Sequence, residues 1–212
     1  EFSAGFFPVG DNAFCFAIWL NKSSTPTVVW MANRDEPVNG RGSVLSILAD
    51  GQLILTNSLG ITIWTTKAAD LTSLEPEVTN LQLQLQNTGN LVLHNSKGVV
   101  IWQSFDSSSD TLLAQQALTM MSSLISRKSQ DDYSSGNYKL FFDNDNVLRL
   151  LFQGPTMSSL YWPDPWLTDS GQAGRSMYNT SRRALLHDSG YFESSDNFQF
   201  NATDFGVVIT DD

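Results

Sequence analysis

A chain of 212 residues, 41% of them hydrophobic, has room for one large domain or two ordinary ones and enough apolar content for a core. Its net charge is −10, with 5 basic and 10 acidic side chains over residues 1–125 and 7 and 12 over residues 126–212. No Lys/Arg cluster is long enough to track a phosphate backbone or hold an anionic bilayer, and no apolar run approaches the roughly 20 residues of a membrane span, so nucleic acid and direct membrane insertion by this segment are both excluded as partners.

In chain order, almost every segment reads as strand: short alternating or β-branched runs between Asn, Asp, Gly and Ser turns. Residues 6–20 and 27–33 make a first sheet, 44–66 a second and 81–105 a third. The second and third are one repeated unit. Leu45 to Leu55 and Leu83 to Leu93 are each strand, polar-Gly turn, strand, followed by a second turn and a strand ending in Trp64 or Trp102. Val28-Val29-Trp30 repeats the ending upstream, so the tryptophans recur 34 and 38 residues apart. Such a period signals an all-β repeat architecture, here a pseudo-symmetric prism of three sheets with Trp30, Trp64 and Trp102 as core. Residues 106–135 break the pattern and read as a linker, with Thr111–Met121 as the one modest helix candidate. A second run of strands follows: 138–142 and 147–152 around the turn Asp143-Asn144-Asp145-Asn146, then Tyr161 to Trp166, a pair around Gly190, and a β-rich run from Phe205 to Thr210. Domains are therefore expected at 1–125 and 126–212. The strand-like start at Glu1, with no leader, and the end soon after a strand predict a mature or partial chain whose second domain is incomplete.

Catalysis finds little support. His94 and His187 are distant in sequence, and neither lies near a nucleophile motif or metal-ligand spacing. The Asp143–Asn146 turn begins like a calcium loop but has Leu148 where the loop needs Gly and Gly154 where it needs Glu, so no metal and no cofactor are expected. Cys15, the single cysteine, lies in the apolar run Phe14 to Trp19 and reads as a buried small hydrophobe, with a reactive thiol or an intermolecular bridge as the alternatives. Asn21-Lys22-Ser23, Asn179-Thr180-Ser181 and Asn201-Ala202-Thr203 are N-glycosylation acceptors and point to an extracellular or secreted chain. Asp131-Asp132 and Asp211-Asp212 read as solvated polar ends.

The third hairpin is different. Gln86, Thr88, Asn90, Val92 and His94 are spaced by two, the period that puts strand residues on one face. Amide, hydroxyl, amide, apolar group and imidazole in a row suit a hexose, which needs directional hydrogen bonds for its hydroxyls and an apolar contact for its C–H face. An ordinary half-exposed strand face remains the alternative at this point.

Val29-Trp30-Met31-Ala32-Asn33-Arg34-Asp35, Asn87-Thr88-Gly89-Asn90-Leu91-Val92-Leu93 and Ile101-Trp102-Gln103-Ser104-Phe105-Asp106, with Ser135-Gly136-Asn137-Tyr138 and Tyr161-Trp162-Pro163 further on, carry a family resemblance. The chain resembles the bulb-type (snowdrop-agglutinin-like) mannose-binding lectins, and more closely the tandem lectin-like ectodomain of plant G-type (S-domain) receptor-like serine/threonine kinases. The resemblance implies tandem β-prism II domains. It also implies a sugar-site pattern Q-x-D-x-N-x-V-x-Y. Gln86, Asn90 and Val92 match it in the third hairpin, with Thr88 at the Asp position and His94 at the Tyr position. In the second hairpin Asp50 matches, and Leu48, Gln52, Ile54 and Thr56 fill the other positions; in the first sheet Cys15, Ala17 and Trp19 fall where Asn, Val and Tyr would be; in the second domain Asp145 alone corresponds. Thr88 removes a charged hydrogen bond worth about 1.5–3 kcal/mol, so weak or absent mannose binding is expected. The function implied is a non-enzymatic extracellular recognition module for a glycan or an unidentified ligand, the parent being a receptor kinase or a secreted relative, with no kinase motif in these residues. A structural or homo-oligomerising prism that binds no sugar is the alternative.

Overall fold

The computed structural model describes residues 1–21, 26–66, 80–163, 175–201 and the backbone of 206–208. Lys22-Ser23, Asp164-Pro165-Trp166, Ala202-Thr203, Phe205, Ile209-Thr210 and Asp211-Asp212, all singled out in the sequence, lie outside the described residues. The chain divides into two compact units, Glu1–Ser104 and Phe105–Asp212.

Unit 1 is three antiparallel three-stranded sheets. Sheet I holds β1 (Phe2–Gly10), β2 (Ala13–Leu20) and β3 (Thr27–Met31); sheet II holds β4 (Val44–Ile47), β5 (Leu53–Thr56) and β6 (Thr62–Thr65); sheet III holds β7 (Gln82–Leu85), β8 (Leu91–His94) and β9 (Val100–Gln103). The register repeats in all three. Ile18, Leu55 and Leu93 stand opposite Trp30, Trp64 and Trp102, and one residue further along the central strand the pairing skips Val29, Ile63 or Ile101. Each skip is a β-bulge, which bends the outer strand. Each tryptophan lies at its bulge and meets the other two. The ring centroids are 5.9 Å (Trp30–Trp64), 5.9 Å (Trp30–Trp102) and 6.0 Å (Trp64–Trp102) apart, every pair edge-to-face. Such pairs add about 0.5–1.5 kcal/mol each beyond the area they bury.

The same register places a polar pin at each sheet. The backbone N–H of Leu53 donates to Thr66 Oγ1 (3.0 Å), that of Leu91 to Ser104 Oγ (2.9 Å) and that of Phe16 to Asn33 Oδ1 (2.9 Å). Leu53, Leu91 and Phe16 are buried, so these N–H groups have no access to water and the side chains supply the acceptor.

Unit 2 contains β10 (Thr111–Leu113), β11 (Ala117–Thr119), β12 (Leu124–Arg127), β13 (Ser135–Phe142), β14 (Leu148–Gln153), β15 (Ser158–Trp162), β16 (Arg183–Leu186), β17 (Tyr191–Ser194), β18 (Gln199–Asn201) and β19 (Gly206–Val208). Sheet IV has the order β12-β13-β14-β15, sheet V the order β11-β16-β17-β18, and β10 pairs with β19. The segment Thr111–Met121 is not helical: two short strands are separated by a turn with Gln115 at φ 67°, and the Gln116 side-chain oxygen accepts from Leu113 N (3.0 Å). The strand partners sit far along the chain, Leu112 opposite Val207 and Leu118 opposite Ala184, so long-range pairing overrides a local helix preference.

The unit 2 core is Leu112, Leu118, Leu124, Phe142, Leu148, Ala184, Leu186 and Phe192, with Leu140, Trp162, Phe198 and Phe200 packed against it. Two ion pairs are buried with it. Arg127 Nε donates to Asp110 Oδ2 (2.7 Å), and the Tyr133 ring lies 5.1 Å from that guanidinium. Arg175 pairs with Asp196 and packs against both the Trp162 and Phe198 rings, 4.6 and 4.8 Å from their centroids. Asp196 also accepts from Leu148 N (2.7 Å) and Ser194 Oγ (2.7 Å), which satisfies a carboxylate with no solvent exposure. Among the described residues no helix is long and apolar enough to cross a membrane.

Candidate functional site

The hairpin that carries Gln86 to His94 is built on a five-residue turn. Gln86 N donates to Asn90 O (2.8 Å) and Gly89 N donates back to Gln86 O (3.0 Å). Gly89 has φ 86°, the left-handed conformation that lets the turn close into a bulge at no side-chain cost. Only Leu91–His94 are strand, so Gln86 and Thr88 belong to the turn and the period-two face spans Asn90, Val92 and His94. Thr88 Oγ1 accepts from Asn90 N (3.4 Å), a local turn bond.

The structure brings these five residues together but engages the central one internally. Asn90 is buried; its Nδ2 donates to Gln103 Oε1 (2.9 Å) and its Oδ1 accepts from Ser104 Oγ (3.3 Å). Val92 is also buried, flanked by Gln84 on β7 and Gln103 on β9. His94 is half-buried, with Nδ1 3.0 Å from Asn95 O. The amide face presented to solvent is therefore Gln82, Gln84 and Gln86, all exposed.

Sheet II repeats the turn with Leu48, Gly51 and Gln52 (2.8 and 3.0 Å). Here the acidic position is filled. Asp50 Oδ1 accepts from Gln52 N (3.1 Å), Asp50 Oδ2 accepts from Gln52 Nε2 (2.8 Å), and Thr65 Oγ1 donates to Gln52 Oε1 (3.3 Å). Asp50 thus takes the turn role that Thr88 takes in sheet III, and spends its second oxygen on the neighbouring amide. In sheet I, Cys15 stands at the position of Gln52 and Asn90 and is wholly buried; burial, followed by the nearby Asp35 carboxylate, pushes its thiol up to about 12, and its Sγ–H donates to Asn33 O (3.4 Å). A neutral buried thiol offers neither a nucleophile nor a metal ligand.

Unit 2 uses the same turn three times: between β17 and β18, through Ser194, Asn197 (φ 72°) and Phe198, and in two earlier hairpins. Asp143, Asn146 and Val147 close one hairpin, with Asn146 at φ 66° in place of glycine, and Asp145 accepts from Val147 N (3.1 Å) and pairs with Arg149. His187, Gly190 and Tyr191 close the other. Sequence reasoning singled out Asp145 in the first and no binding residue in the second. Yet His187 Nε2 is 3.0 Å from Glu193 Oε1, and Tyr191 Oη donates to Gln199 Oε1 (2.5 Å). The signal was present as alternation: His187, Ser189, Tyr191, Glu193 and Ser195 are spaced by two about Gly190, as Gln86 to His94 are about Gly89.

The glycosylation acceptors are all exposed: Asn21 donates its amide to Ser3 Oγ (2.6 Å), Asn179 accepts from Ser181 N (3.1 Å), and Asn201 ends β18. Among the described residues no three His, Cys, Asp or Glu side chains are grouped as metal ligands.

Residues 27–132 match the family described as D-mannose binding lectin. Over 202 residues the chain is 42% identical to a Zea mays protein named receptor protein kinase ZmPK1, covering 92% of this chain and 23% of that protein. Over 219 residues it is 30% identical to the Oryza sativa subsp. japonica G-type lectin S-receptor-like serine/threonine-protein kinase LECRK2, covering 98% and 25%. Over 150 residues it is 33% identical to the Arabidopsis thaliana G-type lectin S-receptor-like serine/threonine-protein kinase B120, covering 67% and 17%. The chain spans a quarter or less of the length of these curated relatives. With the family match extending over the second and third tryptophan-ending sheets and both of their hairpin turns, the chain belongs to the D-mannose binding lectin family.

Proposed function

We propose that the chain is a non-enzymatic, extracellular, lectin-like recognition module in the ectodomain of a plant receptor-like kinase, organised as tandem β-prism domains, and that its unit 1 sites bind simple mannose weakly or not at all. The observation that carries the second part is the engagement of Asn90: its amide donor goes to Gln103 and its carbonyl to Ser104, so a sugar must displace internal bonds to reach it. Thr88 supplies no charge at the position where an acidic acceptor would strengthen the contact, and Asp50 in sheet II is occupied with Gln52. Both effects act in the same direction, against a monosaccharide whose affinity rests on a few hydrogen bonds. The exposed sequons Asn21, Asn179 and Asn201 support an extracellular setting.

Isothermal calorimetry of the chain with methyl α-mannoside tests this. No binding heat is expected in the micromolar range, and a micromolar Kd would overturn the reading of degenerate sites. Any sugar held by sheet III should be lost with Asn90→Ala and little changed by Asp50→Ala. The alternative of an assembly module rests on the exposed apolar side chains of Val44 in sheet II, Leu59 and Ile61 in its β5–β6 connection, and Val99 before and Val100 at the start of β9. A stable oligomer in light scattering together with a blank glycan array favours it.

A further inference from the structure

We propose that the outer face of sheet V holds a second, chemically more complete sugar site, which takes a neutral hexose unit. This extends the lectin reading to residues outside the matched segment. One face of sheet V packs into the core through Leu118, Ala184, Leu186 and Phe192. Strand alternation turns Arg183, Leu185, Tyr191 and Glu193 to the other face. A cavity of about 270 Å³ opens there, lined by Ser181, Arg183, Leu185, Glu193, Ser194 and Ser195. That is just under the roughly 300–1,000 Å³ of sites for drug-sized ligands.

The chemistry of this cavity is what sheet III lacks. Matched through its turn, where His187 N donates to Tyr191 O (2.8 Å) and Gly190 N to His187 O (2.9 Å), sheet V has Glu193 where sheet III has the buried Val92. The Glu193 carboxylate is exposed, and the His187 contact to Oε1 (3.0 Å) orients it. An ionised carboxylate has about four acceptor positions, so it retains capacity for two sugar hydroxyls. Arg183 is exposed one step along the face, and among the described residues no carboxylate lies within ion-pairing distance of its guanidinium. Its five N–H donors can serve ring and hydroxyl oxygens. Leu185, directly opposite Glu193 and two residues along the strand from Arg183, offers an apolar floor for the sugar C–H face. Tyr191, held by its bond to Gln199, stands two residues from Glu193 on the same face, outside the cavity lining. The face balances one cation against one carboxylate within a chain of net charge −10, which favours a neutral ligand over an anionic one.

The test is a ¹⁵N–¹H NMR titration of the whole chain with the methyl glycosides of mannose, glucose and galactose. Ser181 on the cavity rim belongs to the Asn179 sequon, so the titration is run on the wild type and on Asn179→Gln, which removes any glycan attached there. At least one glycoside should shift the amides of β16 and β17 selectively. Its Kd should rise about tenfold or more in Glu193→Gln and in Arg183→Ala, as expected for loss of a charge-assisted hydrogen bond. Both side chains are exposed, so neither change disturbs the core. Shifts confined to Gln86–His94, or unchanged affinity in both variants, would overturn the cavity and leave the lectin reading standing. No shifts with any of the three glycosides in either protein would also overturn the cavity, while the lectin reading is judged separately on an array of longer oligosaccharides.

Discussion

Unit 1 closes its interior with three tryptophans in mutual edge-to-face contact, each delivered by the same bulge, and pins each sheet with a side-chain acceptor from Asn33, Thr66 or Ser104. Unit 2 shares the hairpin turn but not this interior. It packs aliphatic side chains and phenylalanines around two buried ion pairs, Asp110–Arg127 and Asp196–Arg175, that join segments 17 and 21 residues apart. The contrast shows that the turn and the core are separable parts of the same design. A turn set by local hydrogen bonds and one left-handed residue survives when the core around it is rebuilt. Threefold repetition is retained where the same ring must meet itself across three sheets.

The sharpest way to break this comparison is to remove the unit 2 anchor. Asp196→Ala leaves the Arg175 guanidinium packed against two aromatic rings without a counter-charge, and takes the acceptor from Leu148 N and Ser194 Oγ. Breaking one side of a buried pair costs about 3–5 kcal/mol, to be read as a lowered urea midpoint followed by fluorescence. A loss below about 1 kcal/mol would mean that the aromatic packing alone holds this interior. The matching test in unit 1 is smaller. Ser104→Ala deprives Leu91 N of its acceptor and should cost about 1–3 kcal/mol. Ser104 also donates to Asn90 Oδ1, so the same variant loosens the amide that occupies the candidate sugar site. If Ser104→Ala is as stable as the wild type, the pin does not contribute and the sheets are held by the rings.

The two units also differ in how much of each was legible in the sequence. In unit 1 the repeat is local: a polar-Gly turn between two strands, then a Trp 13 residues after the glycine, is a pattern that a single pass along the chain exposes, and the all-β assignment with three sheets followed from it. The fate of Asn90 was hidden, because period-two spacing says which side of a strand a residue takes and nothing about a bond to Gln103, 13 residues away on the neighbouring strand. In unit 2 the defining contacts are long-range. Thr111 pairs opposite Val208, and Leu118 opposite Ala184, so residues 111–121 look locally like a weak helix and become strands only because distant partners exist. The charged face of sheet V was legible in principle. His187 stands apart from His94 in the sequence, but alternation about Gly190 gathers it with Tyr191 and Glu193.

The smallest effect separates the units by pH. Cys15 keeps its proton in the folded chain up to about 12 because its wholly buried site disfavours the thiolate, and the Asp35 carboxylate adds to that; the unfolded thiol releases it near its ordinary 9.0. Between those values the unfolded state binds fewer protons than the folded one, so the stability that Cys15 contributes is fully present below about pH 9 and declines as pH rises towards 12. The slope from this one group is at most about 1.4 kcal/mol per pH unit. Tyr133 in unit 2 is also raised, first by burial, and adds a loss of the same sign, so total stability in this range does not isolate the thiol. The difference between wild type and Cys15→Ala does. Urea midpoints measured from pH 8 to 11 should converge as pH rises if the buried thiol is the source. Parallel curves would show that sheet I opens enough to ionise Cys15 without unfolding, and would remove the physical basis for treating that position as closed to ligand chemistry.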